Sequence, residues 1–187
     1  HRGSSAASDV YKRQPYVGTV LDATTKRESS LKIDPSSGNT LEFWLKKPSF
    51  VSSLTPSEVV FDSYTIDFEE GNSKYGRFLL ELSSTGNGSP FYLTYMSGTT
   101  GLDRVQIGSE ITAATVADDK FHHYAFSVKH ISDNDQIKVD FYVDGEYNST
   151  YIKNAVQSFD SVLGYFNGTI GSLATTKDTF GGLGYGK

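Results

Sequence analysis

The sequence contains no cysteine, and this absence excludes several kinds of chemistry. The chain cannot form disulfides, use a thiolate nucleophile or hold zinc through sulfur ligands. A cysteine-free chain suits folding in a reducing cytoplasm and is also compatible with later export. The sequence has no apolar run of the roughly 18 to 20 residues that a membrane span needs, so we expect no membrane insertion.

Basic side chains are few and scattered. The 17 lysines and arginines are outnumbered by 22 aspartates and glutamates, which gives a net charge of -5 and an isoelectric point near 5.3. Proteins that track nucleic acid need a basic patch or stripe to neutralise phosphates. We therefore expect no nucleic-acid partner.

Helical periodicity is nearly missing, and the one helical candidate, Ser109–Ala117, is short and rich in threonine. Segments that alternate apolar and polar residues, separated by Gly, Ser, Asn and Asp clusters, predict strands instead. The predicted strands are Tyr16–Leu21, Ser30–Ile33, Thr40–Lys46, Glu58–Phe61, Arg77–Leu82, Pro90–Met96, Arg104–Ile107, Tyr147–Ile152 and one within Ser158–Ala174.

The strongest pattern is a hairpin over Lys120–Gly145. Two alternating runs place one set of apolar residues on a single face, namely Tyr124, Phe126, Val128, Ile137, Val139, Phe141 and Val143. A polar loop, Ser132–Asp135, joins the two runs. The pair Asp144–Gly145 predicts a second, tight turn, because glycine accepts positive φ.

Three motifs carry a family resemblance. They are Phe121-His122-His123 ahead of the hairpin, the strand Glu42-Phe43-Trp44-Leu45-Lys46, and the segment FNGTIGSLATT near the end. On these motifs, about Leu31–Lys187 resembles the laminin-G-like and pentraxin-like branch of the concanavalin A-like lectin/glucanase superfamily. The resemblance implies an all-β jelly-roll sandwich of two antiparallel sheets.

We make separate predictions for the N-terminal and the C-terminal end of the sequence. Residues 1–14 include Ser4–Gln14, which resembles adaptor sequence translated at the ends of metagenomic reading frames, the alternative being a disordered arm. Residues 15–187 are then a single laminin-G-like jelly-roll domain. Because related domains add a closing strand after the point where Tyr185-Gly186-Lys187 ends this sequence, we expect an unfilled strand position and an exposed edge.

The carboxylate pattern of glycan hydrolysis does not occur in the sequence. Hydrolases of this superfamily carry E-x-D-x-x-E, since an acid and a nucleophile must flank one bond about 5 to 5.5 Å apart. The nearest cluster is Asp67–Glu70, where Asp67 and Glu69 share a face but lead into a turn. No nucleophile-elbow motif accompanies the histidines. We predict no enzymatic activity.

Metal binding has two candidate patterns. His122 and His123 are adjacent on a strand and face opposite sides, so they cannot jointly bind zinc without a bulge, and a hydrogen-bonding histidine is the favoured interpretation. The resemblance implies calcium as a candidate ligand at a loop rim. The candidate residues are Asp118, Asp119, Asp133 and Asp135. Ordinary polar turns have the same composition, so both interpretations stay open.

Aromatic residues on outer sheet faces are the candidates for sugar binding. Sugars present C–H faces that stack on rings and hydroxyls that need polar partners. The candidates are Trp44, Tyr92 beside Thr94, and Tyr142 beside Asp140. Packing against a loop or a neighbouring strand is the alternative for each ring.

The resemblance and the missing carboxylate pattern together predict a non-enzymatic binding or adhesion module. We expect it to bind carbohydrate, within a larger surface or virion (tail or fibre) structural protein, and to lie outside the cell or on the virion surface. Its expected partners are a glycan or a surface protein, and other domains of a longer parent chain. The alternatives are a structural protein–protein docking domain and a glycoside hydrolase of the same fold.

Overall fold

The computed structural model describes residues 35, 37–50, 57–65, 76–154 and 166–170. Within these ranges the chain forms nine strands and one helical turn, α1 (Ala113–Val116). The strands are β1 (Asn39–Lys46), β2 (Glu58–Thr65), β3 (Gly76–Leu82), β4 (Phe91–Ser97), β5 (Thr100–Ile107), β6 (Phe121–Ile131), β7 (Gln136–Val143), β8 (Glu146–Lys153) and β9 (Phe166–Ile170).

The strands form two antiparallel sheets. One sheet has four strands in the order β1-β6-β7-β8, and the other has five in the order β5-β4-β3-β2-β9. Side chains from the inner faces of both sheets build one hydrophobic core. The prediction of an all-β sandwich of two antiparallel sheets is therefore confirmed.

Aromatic rings join the two sheets at the centre of the core. Phe126 of β6 stacks on Phe141 of β7 with ring centroids 4.4 Å apart, and Phe91 of the opposite sheet lies 5.4 Å from Phe126. All three rings are fully buried. The period-two alternation of β6 and β7 thus places the aromatic positions of the hairpin against the other sheet, as predicted.

The turns of the hairpin region follow the sequence. Ser132–Asn134 forms a short 3-10 turn that ends at Asp135, whose φ is 48°. Asp144 and Gly145 have φ values of 52° and 83° and join β7 to β8. Positive φ at both central residues is the conformation that Asp-Gly favours in two-residue hairpin turns.

The structure corrects some predicted boundaries. β5 begins at Thr100 and not at Arg104, because Gly98, with φ 60°, closes a tight turn after which Ser97 pairs with Thr100. The helical candidate shortens to the single turn α1. Among the residues that the structure covers, no helix has the length and apolarity to cross a membrane.

Several sequence predictions fall outside the described residues. They concern residues 1–14, the strands at Tyr16–Leu21 and Ser30–Ile33, the cluster Asp67–Glu70 and the unfilled strand position expected after Tyr185-Gly186-Lys187. These remain predictions.

Replacing Phe126 by alanine should lower the free energy of unfolding by about 3 to 5 kcal/mol, because the ring is fully buried between two aromatic neighbours and a cavity remains. Urea denaturation followed by circular dichroism measures the change. The control is Ile152→Ala, which truncates a side chain that is 50% exposed and should cost only about 0.5 kcal/mol. Equal losses in the two variants would contradict this placement of the core.

Candidate functional site

The outer surface of the four-stranded sheet carries exposed aromatic side chains. They alternate with core residues along β1, β6, β7 and β8, so the strand period turns them away from the core. Trp44, Phe121 and Tyr147 are 67%, 66% and 58% exposed. We call this surface the aromatic face, and its rings are Trp44, Phe121, His123, Tyr142 and Tyr147.

Trp44 lies at one corner of the aromatic face. It is directly opposite His123 in the β1–β6 register, and the two ring centroids are 5.2 Å apart. His123 Nε2 lies 3.9 Å from Glu42 Oε2. An indole exposed to this degree is not packed beneath a loop, so the loop-packing alternative does not hold for Trp44.

A polar network fixes the opposite side of the face. Lys138 Nζ lies 2.7 Å from Asp140 Oδ2, and the Thr150 hydroxyl donates to the same carboxylate. Tyr147 in turn donates its hydroxyl to Thr150 Oγ1 at 2.9 Å, and its ring meets Tyr142 edge-on at 5.9 Å. Burial raises the pKa of Asp140, but the bonds from Lys138 and Thr150 outweigh it and the pKa is lowered overall. Asp140 is therefore an ionised hydrogen-bond acceptor.

Two outward-facing residues of β6, Ala125 and Ser127, have small side chains. Ala125 lies opposite Glu42 on one side and Tyr142 on the other. Ser127 follows it on the same face, with Asp140 opposite. Glu42 of β1 lies on one side of these two small residues, and Tyr142 and Asp140 of β7 lie on the other, two strand spacings away at roughly 9 to 10 Å.

Tyr92 lies on the other sheet. It is on the outer face of β4, where the Arg104 guanidinium sits 4.3 Å from its ring centroid. Its hydroxyl lies 3.4 Å from Gln106 Nε2. The structure thus brings Trp44, Tyr142 and Asp140 to one surface and leaves Tyr92 on another.

The five-stranded sheet also holds buried charged side chains that the sequence does not reveal. Arg77 pairs bidentately with Asp62 through Nε at 3.1 Å and Nη2 at 3.2 Å, and both side chains are buried. Glu81 is also buried and accepts a hydrogen bond from Ser57. Burial raises the pKa of Glu81 despite the opposing effects of Ser57 and Arg104. No local pattern reveals these pairs, because each one joins different strands.

The calcium candidates lie in two separate places. Asp118 and Asp119 precede β6, whereas Asp133 and Asp135 follow it, so the eleven residues of β6, roughly 35 Å in length, separate the pairs. Both members of the first pair have other partners. Asp118 contacts Lys120 and His122, and Asp119 contacts Lys46. Across the described ranges no group of three or more acidic or histidine residues could hold a metal ion. The calcium prediction gains no support from these residues.

His122 bridges two carboxylates at the rim where β6 begins. Its Nδ1 lies 2.7 Å from Asp144 Oδ2, and its Nε2 lies 3.2 Å from Asp118 Oδ1. The Asp144 bond is the main cause of the raised pKa of His122, and burial opposes it. His122 and His123 face opposite sides of β6, and His122 is hydrogen-bonded, as the sequence predicted.

Fold and site together define a β-sandwich domain with an exposed aromatic sheet face. Residues 22–183 match the laminin G family model described as the concanavalin A-like lectin/glucanases superfamily. The match covers most of the sequence, so the chain belongs to this family. The family predicted from the three motifs is confirmed, and the match begins earlier than Leu31. No curated protein sequence matches the chain.

Solved structures resemble the chain in fold. The CBM40 of the Ruminococcus gnavus IT-sialidase has a TM-score of 0.42 and 16% identity, over 73% of this chain and 64% of that one. The basic winged bean lectin with Tn-antigen has a TM-score of 0.35 and 10% identity, over 70% and 56%. The β-porphyranase of Bacteroides plebeius, a human gut bacterium, has a TM-score of 0.33 and 17% identity, over 73% and 52%. The chain spans less than two thirds of each of these three structures.

The His122 bridge should make stability depend on pH. Its raised pKa means that the protonated bridge stabilises the fold fully below the unfolded value of about 6.5, and the contribution is lost as pH rises through the folded pKa. Melting temperatures of the wild type and of His122→Gln, measured between about pH 5.5 and about pH 8.5, should differ most at the acidic end.

The comparison with His122→Gln isolates this histidine, because every other titratable group is common to the two proteins. Glutamine can still hydrogen-bond one carboxylate but carries no charge. A difference in melting temperature that stays constant across the range would show that the imidazolium charge contributes nothing.

Proposed function

We propose that this chain is a non-enzymatic, carbohydrate-binding adhesion module and that the aromatic face is its binding surface. The observation that carries the proposal is the exposure of Trp44, 67%, on a regular strand of a well-packed sheet. Soluble domains seldom leave grouped large apolar side chains in water unless the surface has a partner. The other exposed rings of the face extend the same surface.

The geometry of the face suits a saccharide. Trp44 on β1 and Tyr142 on β7 flank β6 on its two sides, so a sugar chain lying across the face can present its C–H faces to both rings. Glu42 and Asp140 supply carboxylate acceptors for hydroxyl groups, and Lys138 supplies a donor. Asp140 is held in place before any ligand arrives, which reduces the entropic cost of binding.

Two observations favour binding over hydrolysis. Glycoside hydrolysis needs a protonated carboxylic acid beside a carboxylate. On the aromatic face the pKa of Asp140 is lowered, which suits an acceptor and not a proton donor. Glu81, on the other sheet, has a raised pKa but is only 1% exposed, so a substrate cannot reach it.

The wider setting of the proposal rests on the family resemblance. A module of this kind belongs in a larger surface or virion (tail or fibre) structural protein, placed outside the cell or on the virion surface. Its partners there are a glycan and the other domains of its parent chain.

Replacing Trp44 by alanine should weaken glycan binding by about tenfold or more, because the largest exposed ring is lost. A glycan-array screen of the wild type identifies a ligand, and titration of that ligand by calorimetry compares the variants. Ile152→Ala is the matched control, since it removes an exposed apolar group of the same sheet but no ring. A second set of titrations with a chelator tests the calcium prediction.

Three results would contradict the proposal. One is equal affinity of the wild type and Trp44→Ala for the ligand. Another is equal loss in Trp44→Ala and Ile152→Ala. The third is no glycan binding by wild-type protein with a native circular dichroism spectrum, in which case a protein–protein docking domain becomes the better explanation.

A further inference from the structure

Arg104 has an unusual backbone conformation within a strand. Leu93 pairs with Val105 and Tyr95 pairs with Leu102, so two residues of β5 lie opposite the single residue Thr94, which defines a β-bulge. Arg104 is at this bulge with a φ of 44°, in the left-handed region that residues other than glycine, asparagine and aspartate avoid. Such strain at a bulge is associated with side chains that are re-aimed for function.

At the bulge, the Arg104 side chain lies over the ring of Tyr92. Its guanidinium lies 4.3 Å from the ring centroid of Tyr92. Gln106 is anchored beside that ring, since the two N–H groups of its Nε2 donate to Ser89 O at 2.6 Å and to Asn87 O at 3.1 Å, and the same nitrogen lies 3.4 Å from the tyrosine hydroxyl. The guanidinium is therefore oriented before a ligand binds.

The N–H groups of this guanidinium are available to a ligand. Arg104 Nε lies 3.7 Å from Glu81 Oε2, too far for a hydrogen bond, and in the described part of the chain the guanidinium makes no hydrogen bond at all. The side chain is 37% exposed. Arginine carries five N–H donors in a planar fork. A fork that is stacked, partly exposed and without hydrogen bonds is suited to a planar or tetrahedral oxyanion.

We propose that Arg104, stacked on Tyr92, forms a second binding site for a carboxylate or sulfate group carried by an acidic polysaccharide. The site lies on the opposite sheet from the aromatic face, so it is separate from that surface. The choice of a polysaccharide as carrier of the anion rests on the carbohydrate-binding function proposed above. β5 is the first strand in the order of the five-stranded sheet, and a long chain can reach this edge from solvent. The buried Glu81 carboxylate competes for the same guanidinium and limits the affinity for the anion.

The test uses the full chain and four probes. They are trigalacturonate for carboxylate, a carrageenan tetrasaccharide for sulfate, a neutral galactan tetrasaccharide, and sodium sulfate as a free anion. Calorimetric titration should give binding of one or both acidic saccharides and much weaker binding of the neutral saccharide and of free sulfate. Equal binding of free sulfate and the sulfated saccharide would overturn the polysaccharide assignment.

Arg104→Gly is the decisive variant. Glycine adopts a φ of 44° without steric cost, so the guanidinium is removed while the bulge is retained. Affinity for the acidic saccharide should fall by about tenfold or more, which corresponds to one charge-assisted hydrogen-bonded pair. Arg104→Lys should also weaken binding, because lysine keeps the charge but loses the planar fork. Wild-type affinity in Arg104→Gly would overturn the proposal.

Two further variants separate this site from its neighbours. Glu81→Gln removes the competing charge and keeps the acceptor for Ser57, so binding of the acidic saccharide should tighten. Unchanged or weaker binding in that variant would count against the guanidinium as the receptor. Lys120→Ala is the matched control, because it removes a cation that is 76% exposed and precedes β6 of the other sheet, so acidic-saccharide binding should stay unchanged. An equal loss in Lys120→Ala and Arg104→Gly would reduce the effect to net charge and overturn the site.

Discussion

The packing of β6 between β1 and β7 is the constraint on which the rest of the structure depends. Phe126 must be in the core because it stacks on Phe141 and meets Phe91 of the opposite sheet. Since strand side chains alternate, every second residue of β6 then faces outwards. His123 and Ala125 occupy these outward positions. Packing of the aromatic core therefore determines which residues of β6 belong to the outer surface of the sheet.

The two outer sheet surfaces differ in chemistry. The aromatic face leaves apolar rings in water and arranges a few ionised groups at its sides, which suits contact with a large neutral ligand. The five-stranded sheet instead buries the charged side chains Asp62, Arg77 and Glu81, and the partly exposed Arg104 lies 3.7 Å from Glu81. Buried charged pairs contribute little net stability, because desolvation offsets their attraction.

The rim at the start of β6 links ionisation to the geometry of the aromatic face. Asp144 accepts the backbone N–H of His123 at 2.8 Å while its other oxygen contacts His122. The Asp144 backbone N–H donates in turn to His123 O at 2.7 Å. The backbone of His123, whose ring contacts Trp44, is therefore held by the same aspartate that raises the pKa of His122. Protonation of His122 strengthens an anchor beside the proposed binding surface.

The sequence by itself determined the elements and the faces of this protein. Period-two alternation is local, so it predicted most strands of the described ranges, the core side of the hairpin and the outward direction of Trp44 and Tyr142. The Asp144–Gly145 turn followed from the φ preferences of its residues. The family resemblance rested on these same local patterns.

Only the tertiary structure decided which residues became neighbours. Trp44 meets His123, and Arg104 meets Tyr92 and Glu81, through pairings between strands that local periodicity cannot register. The positive φ of Arg104 has no signal in the sequence, since arginine has no preference for that conformation. Alternation determines the sheet face on which a residue lies, whereas the long-range register between strands determines its neighbours. Both candidate sites consist of side chains from different strands, so their neighbours follow only from the tertiary structure.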